Sequence, residues 1–105
     1  MWGVCLDVTV PELFQKAVEF KIDSENAIIL NPVRNVKVSA NKIRLIDNAP
    51  DFVYGEIVSS LNHTDITGKI HTIIFHFKIK EFCYYIESDG KKKSKRYYGN
   101  DLIKK

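Results

Sequence analysis

The chain of 105 residues lacks the short motifs that usually accompany catalysis. It contains no glycine-rich phosphate loop, no nucleophile elbow and no Ser/His/Asp order, and its five glycines are scattered singly. Its acidic residues show no pairing that suggests general acid–base work. We therefore expect neither enzyme activity nor a bound cofactor.

Cysteine is scarce, and its placement argues against both disulfide and metal chemistry. Cys5 and Cys83 lie far apart, and neither belongs to a Cys-x-x-Cys pair. His71 and His76 are an odd number of residues apart on one predicted strand, so they point to opposite faces. We expect no metal site, two free thiols and a reducing, cytoplasmic location.

Long apolar runs are also missing. No stretch approaches the ~20 residues of a membrane helix, and Met1–Leu6 is too short and lacks the basic start of a secretory signal. The composition, 45% hydrophobic and 28% charged, is that of a soluble globular protein. A membrane partner is therefore not expected.

The hydrophobic periodicity predicts a mainly β protein. Thr9 to Glu12 fits a capping box, and the apolar residues that follow predict a short helix from about Val10 to about Val18. Beyond it, short apolar runs alternate with turn signals every ~8–12 residues, a pattern typical of a meander, a sandwich or a small barrel. No internal repeat is visible. We predict a single domain over 1–105, with a candidate subdivision into 1–50, a helix plus β meander, and 51–105.

The second half of the chain predicts a long hairpin. Lys69–Phe77 has the alternation of a strand, and Phe82–Glu87 returns as its partner. The returning strand has two faces: Phe82, Tyr84 and Ile86 on one, and Cys83, Tyr85 and Glu87 on the other. Asp89-Gly90 then supplies a strong signal for a tight turn.

Four features follow one another in this half: a strand with a tight glycine (Tyr54–Val58), a polar loop into Gly68, the aromatic hairpin, and Tyr97–Leu102. Together, Tyr54–Ile103 resembles a small SH3-like barrel of the Tudor type, in which a one-turn 3₁₀ element precedes the final strand. The resemblance covers about half the chain and implies a binding module for peptides, modified side chains or nucleic acid. Residues 1–50 would elaborate this barrel. It also implies an aromatic cage, for which the candidates are Tyr54, Phe75, Tyr84, Tyr85, Tyr97 and Tyr98.

The basic residues are concentrated in one run. Residues 1–50 carry six Lys/Arg and six Asp/Glu, so the net charge of +3 comes from residues 51–105, which carry ten and seven. Lys91–Arg96, here called the basic run, has five cations and precedes two tyrosines. Such a run fits a phosphate-contacting patch with aromatic platforms. The commoner explanation for such a run, and the one that the sequence favours, is a solvated edge strand whose lysines prevent aggregation.

The predicted function is that of a non-enzymatic binding module. We expect the partner to be another protein, as for an adaptor or a small immunity-type protein. Nucleic acid, bound through the basic run and its tyrosines, is the alternative, although a pI near 8.8 is low for a dedicated nucleic-acid binder. The candidate binding residues are Tyr84, Lys92, Lys93, Lys95, Arg96, Tyr97 and Tyr98.

Overall fold

A computed structural model describes every residue from Met1 to Lys105 and confirms a mainly β protein. It has two antiparallel sheets and no α-helix, and its helical content is two single 3₁₀ turns, Ala40–Lys42 and Gly99–Asp101. Neither turn is long and apolar enough to cross a bilayer. The chain divides into two compact units, Met1–Ala49 and Pro50–Lys105. Each unit contains one of the sheets.

The first unit is a five-stranded sheet with the order β4-β3-β2-β1-β5. Its strands are β1 (Trp2–Cys5), β2 (Ala17–Asp23), β3 (Asn26–Asn31), β4 (Val36–Ser39) and β5 (Ile43–Ile46). Alternate apolar side chains of these strands, joined by one from the β1–β2 connection, form the core because successive strand residues face opposite ways. The core residues are Cys5, Leu13, Val18, Phe20, Ala27, Ile29 and Val38.

The helix predicted over residues 10–18 is absent, and this segment forms turns that lead into β2. Thr9 does not cap a helix, because its backbone N–H and its hydroxyl both donate to Oδ1 of Asp7, at 2.9 and 2.6 Å. Gln15 has a φ of 66°, in the left-handed region that ends a helical turn. Its N–H donates to the carbonyl of Cys5 at 2.7 Å, which directs the chain back to β1.

The second unit is a six-stranded sheet with the path β10-β8-β7-β6-β11, and β9 also pairs with β8. Its strands are β6 (Ile57–Ser60), β7 (Thr67–His76), β8 (Glu81–Ser88), β9 (Lys91–Lys92), β10 (Tyr97–Tyr98) and β11 (Leu102–Lys104). The predicted long hairpin is formed by β7 and β8. Neither sheet of the protein closes on itself, since the outermost strands of each are not paired with one another. A closed SH3-like barrel is therefore not observed.

Tyr84 is the largest fully buried side chain of the protein. Its ring meets Phe52 edge-on, with 5.4 Å between the centroids, and its hydroxyl accepts a hydrogen bond from the backbone N–H of Asp51 at 2.9 Å. These contacts make Tyr84 a core residue with its polar group satisfied. The other buried apolar residues of this unit's strands are Val58, Ile70, Ile73, Cys83, Ile86, Tyr97 and Leu102.

The two units share one strand order. β1 lies between β2 and β5 as β6 lies between β7 and β11, the remaining strands follow at one edge, and a 3₁₀ turn directly precedes the last strand of each unit. The register also agrees, because Cys5 pairs with Ile43 as Ser60 pairs with Leu102. In both units, the residue that follows the first-strand member of this pair donates its N–H to the carbonyl of the last residue of the 3₁₀ turn, at 2.8 Å. The repeat is therefore one of topology, which the residue pattern does not reveal.

The units differ at two places in this shared topology. The β2–β3 hairpin ends with the pair Asp23 and Asn26. The equivalent pair in β7–β8 is Ile74 and Cys83, and that hairpin continues for two further pairs. In addition, β4 pairs with β3 without interruption, whereas the segment returning along β8 is divided into β9 and β10. The second difference coincides with the basic run.

Gly68 in β7 lies directly against the backbone of β8. A Cβ at this position would collide with the carbonyl oxygen of Glu87, a backbone atom that has little room to move. We predict that Gly68→Ala lowers the free energy of unfolding by about 1–3 kcal/mol, as overpacking does. Urea denaturation measures this change. Lys69→Ala, at the exposed neighbouring residue, should cost less than about 1 kcal/mol, and equal stability of Gly68→Ala and the wild type would contradict the close approach.

Candidate binding surface

The first two residues of the basic run pair with β8, and the others form a bulge. Lys92 of β9 pairs with Glu87, and Tyr97 of β10 pairs with Tyr84. Between these two pairs, β8 has two residues and the returning segment has four, Lys93–Arg96, here called the basic bulge. Extra residues of this kind interrupt the ladder and re-aim side chains, and such bulges are frequent beside functional sites.

The basic run is an uncompensated positive surface. All six of its residues are exposed, and five of them are cationic. None of these cations forms an ion pair, and Glu87, which lies opposite Lys92, instead pairs with Lys69 at 3.5 Å. The run is therefore free to attract an anionic partner.

Tyr85 brings two of the cations together. The Nζ atom of Lys92 lies 4.9 Å from the centroid of the Tyr85 ring. Nε of Arg96 donates a hydrogen bond to the Tyr85 hydroxyl at 3.3 Å. Hydrogen bonds to the hydroxyls of Tyr85 and Tyr98 raise the pKa of Arg96 above its usual value. The half-buried Tyr85 therefore contacts one cation through its ring face and another through its hydroxyl. Both contacts restrict the long side chains of these cations.

The structure places the seven candidate residues in different environments. The four cations are exposed: Lys92, Lys93, Lys95 and Arg96. Tyr84 is fully buried and Tyr97 is 3% exposed, so both rings belong to the core. Tyr97 reaches the basic bulge through Lys95, whose Nζ lies 5.1 Å from its ring centroid. Tyr98 is half-buried next to Arg96.

The sequence names Tyr85 as a candidate for the aromatic cage but not among the seven candidate binding residues, although Tyr85 contacts two of the cations. The sequence feature that identifies Tyr85 is the alternation of side chains between the two faces of β8. Tyr84 and Ile86 are fully buried, so the residue between them in β8 points to the other face of the strand, as Glu87 does. A tyrosine that shares a face with a charged residue is better placed for a surface role than one in the buried set.

The aromatic residues considered for a cage have different environments. Phe75 packs edge-on against Phe77 and Phe82, with centroids 4.9 and 4.8 Å apart. The hydroxyl of Tyr54 bonds to both the backbone N–H and the carbonyl of Ile73, at 3.3 and 3.1 Å. Tyr84 and Tyr97 lie in the core. Tyr85 and Tyr98 both contact Arg96 through their hydroxyls, not through their ring faces as a cage would.

Both cysteines are free and buried. Burial raises the pKa of both Cys5 and Cys83, so the two free thiols stay protonated at neutral pH. No group of three or more His, Cys, Asp or Glu side chains is placed to hold a metal ion.

The buried tyrosines predict a loss of stability at high pH. Burial raises the pKa of Tyr84 to about 12, from an ordinary value of 10.0. The protonated phenol is therefore favoured by folding, and this contribution, complete below pH 10, is lost as the pH rises towards 12. We expect phenolate absorbance and circular dichroism to change together in this window. Tyr84→Phe should flatten the pH dependence, and complete phenolate formation near pH 10 in a folded protein would contradict the burial.

Comparison with protein-family models, curated protein sequences and solved structures found no match for this chain. The functional conclusion therefore comes from the geometry of the surface alone.

Proposed function

We propose that this protein is a non-enzymatic binding module that recognises another protein through the basic run, as an adaptor or an immunity-type protein does. The observation that carries the proposal is the comparison between the two units. The first unit builds the same strand order with an uninterrupted β3–β4 pairing. The fold therefore requires neither the basic bulge nor its charges. A surface feature that the fold does not require is a good candidate for binding.

Protection of a sheet edge does not account for the basic run. The outermost strand β4 of the first unit has the sequence Val-Lys-Val-Ser and carries one exposed lysine, Lys37. One cation is a common means of blunting an edge. The second unit has five cations along its edge, of which Lys92 and Arg96 contact Tyr85 and Lys95 contacts Tyr97. This arrangement suits recognition of an acidic surface.

The state of the tyrosines favours a protein over a nucleic acid. Single-stranded nucleic acids gain much of their affinity by stacking bases on open aromatic faces. Here Lys92 lies over the ring of Tyr85, and Tyr97 is buried. The net charge of +3 is also small. A protein partner requires complementary carboxylates rather than an open ring.

Nucleic acid is the second candidate, because five cations lie within six consecutive exposed residues. Five phosphate contacts would make log K fall with log salt at a slope of about −4.5 for double strands and about −3.5 for single strands. Single- and double-stranded oligonucleotides should be titrated at ~50 mM and ~200 mM salt, where this dependence is large. Absence of binding at the lower salt concentration removes this candidate.

Affinity capture at about 0.15 M salt, with the full chain as bait, tests the protein partner. The proposal expects one protein in stoichiometric amount, retained by wild type and by Lys37→Ala but lost when Lys92, Lys93 and Lys95 are all changed to alanine. Equal retention by the triple variant would show that another surface binds. Capture of no protein, together with oligonucleotide binding, would favour nucleic acid.

We also propose the SH3-like barrel of the Tudor type as the finer fold of the second unit. Support comes from the 3₁₀ turn Gly99–Asp101 directly before β11 and from the aromatic hairpin β7–β8. The distance between β10 and β11 in an experimental structure tests this proposal, because the sheet of such a barrel curls and should bring these two strands towards each other. The two free, buried cysteines support a reducing, cytoplasmic location.

A further inference from the structure

We propose that Tyr85 holds Lys92 and Arg96 in place as a receptor for carboxylates on an acidic segment of the protein partner. This inference rests on the proposed function and adds the chemistry of the partner. Tyr85 acts as a positioning residue, and the two cations make the contacts. The strongest contact is that of Arg96, because a guanidinium can bind a carboxylate through two parallel hydrogen bonds.

The contacts of Tyr85 leave the binding groups of the cations available. Arg96 uses Nε to reach the Tyr85 hydroxyl at 3.3 Å and also bonds to the Tyr98 hydroxyl, so other N–H groups of its five-donor guanidinium remain for a ligand. Lys92 contacts the ring face at 4.9 Å and is exposed. Free lysine and arginine side chains lose rotamer freedom when they bind, and contacts that already restrict them reduce this loss.

No carboxylate of the chain forms an ion pair with Lys92 or Arg96. Glu87, which is paired with Lys92 across the strands, has its ion pair with Lys69 at 3.5 Å. Asp101 accepts a hydrogen bond from the backbone N–H of Tyr98 at 2.9 Å. These two carboxylates therefore have other partners, and the charges of Lys92 and Arg96 have no ion-pair partner within the chain.

The first unit lacks the receptor at the corresponding position. The pair Ala27 and Val38 corresponds to Tyr84 and Tyr97, so the next residues, Ile28 and Lys37, correspond to Tyr85 and Arg96. An isoleucine offers neither a hydroxyl nor a π face. Lys37 is exposed and has the same topological position as Arg96. It is therefore a matched control for every charge removal in the receptor.

The test uses two anionic probes of equal length, poly-glutamate and oligothymidylate, titrated into the full chain over a range of salt concentrations. The variants are Tyr85→Phe, Tyr85→Leu, Arg96→Ala, Arg96→Lys and the control Lys37→Ala. Tyr85→Phe removes the hydroxyl and keeps the ring, while Tyr85→Leu removes both. NMR amide shifts report whether the probe contacts the basic run and whether each variant remains folded.

The proposal expects poly-glutamate to bind more tightly than oligothymidylate, with amide shifts confined to the basic run and Tyr85. Tyr85→Phe should weaken binding about threefold and Tyr85→Leu about tenfold, through the lost hydrogen bond and cation–π contact. Because both variants keep every charge, the slope of log K against log salt should stay unchanged. Arg96→Ala should reduce that slope by about one. Arg96→Lys should weaken binding about fivefold, since lysine cannot form the bidentate pair.

Three outcomes would overturn the proposal. Tighter binding of oligothymidylate would assign the receptor to nucleic acid. Wild-type affinity in Tyr85→Leu, or equal losses in Lys37→Ala and Arg96→Ala, would show a diffuse charge effect without a positioned site. Failure of both probes, while affinity capture still recovers a protein partner, would leave the proposed function standing and remove the carboxylate receptor.

Discussion

Replacing Tyr84 with alanine is expected to lower the free energy of unfolding by about 3–5 kcal/mol, the usual cost of removing a buried aromatic ring. The side chain is fully buried, and its ring packs edge-on against Phe52. Its hydroxyl accepts the backbone N–H of Asp51, so the substitution also removes the acceptor of that N–H. Denaturant unfolding, monitored by circular dichroism, measures the loss.

Tyr85→Ala is the matched control for this large effect. The two residues are identical, adjacent and in the same strand, but Tyr85 is half-buried and faces the other way. We expect its replacement to cost less than about 1.5 kcal/mol, mainly through weakened contacts with exposed cations. Similar losses in the two variants would contradict the assignment of one tyrosine to the core and the other to the surface.

Changing Lys92, Lys93 and Lys95 together to alanine is expected to weaken binding of an acidic partner about ten- to a hundredfold, because three unpaired charges leave the contact surface. The free energy of unfolding should change by less than about 2 kcal/mol, since all three side chains are exposed and two make single cation–π contacts. Titration with poly-glutamate measures the affinity, and urea denaturation measures the stability.

A triple variant of the first unit controls for net charge. Lys21, Lys37 and Lys42 are also exposed, and their replacement by alanine removes the same charge from the chain. Binding should remain within about twofold of wild type, because charges away from a contact act weakly in salt. If this variant loses as much affinity as the change in the basic run, the basic run is not the binding surface. Unfolding of the basic-run variant would instead contradict its exposed position.

Local pattern predicted several parts of the second unit. The β7–β8 hairpin followed from the alternation of its two strands, and the Asp89-Gly90 turn connects β8 to β9 as its sequence indicates. A short turn over 98–101 before a final strand followed from its residues, and the 3₁₀ form of that turn was implied by the resemblance. These features depend on residues that are close in sequence. The pattern also assigned Tyr85 to the face opposite Tyr84, although that assignment did not lead to its selection as a binding residue.

Features that depend on distant pairing were not predictable in this way. The residues that begin at Thr9 match a capping box. In the structure, however, Asp7 accepts both hydrogen bonds that Thr9 donates, and the hydrogen bond from Gln15 to Cys5 directs the chain into the sheet. The shared topology of the units depends on which backbone groups pair between the strands, and different sets of side chains allow the same pairing. The basic bulge depends on a two-residue mismatch against β8, and no local signal encodes that mismatch.

The most direct test of the basic bulge as a recognition surface is a variant that lacks Ser94 and Lys95. Removing two residues should let the returning segment pair with β8 without interruption, as β4 pairs with β3, so the protein should remain folded. Lys95→Ala loses the same charge and keeps the bulge, which makes it the matched control. The measurement is the affinity of the deletion variant for poly-glutamate. We predict binding at least about tenfold weaker than that of Lys95→Ala, and equal affinity of the two folded variants would contradict the account.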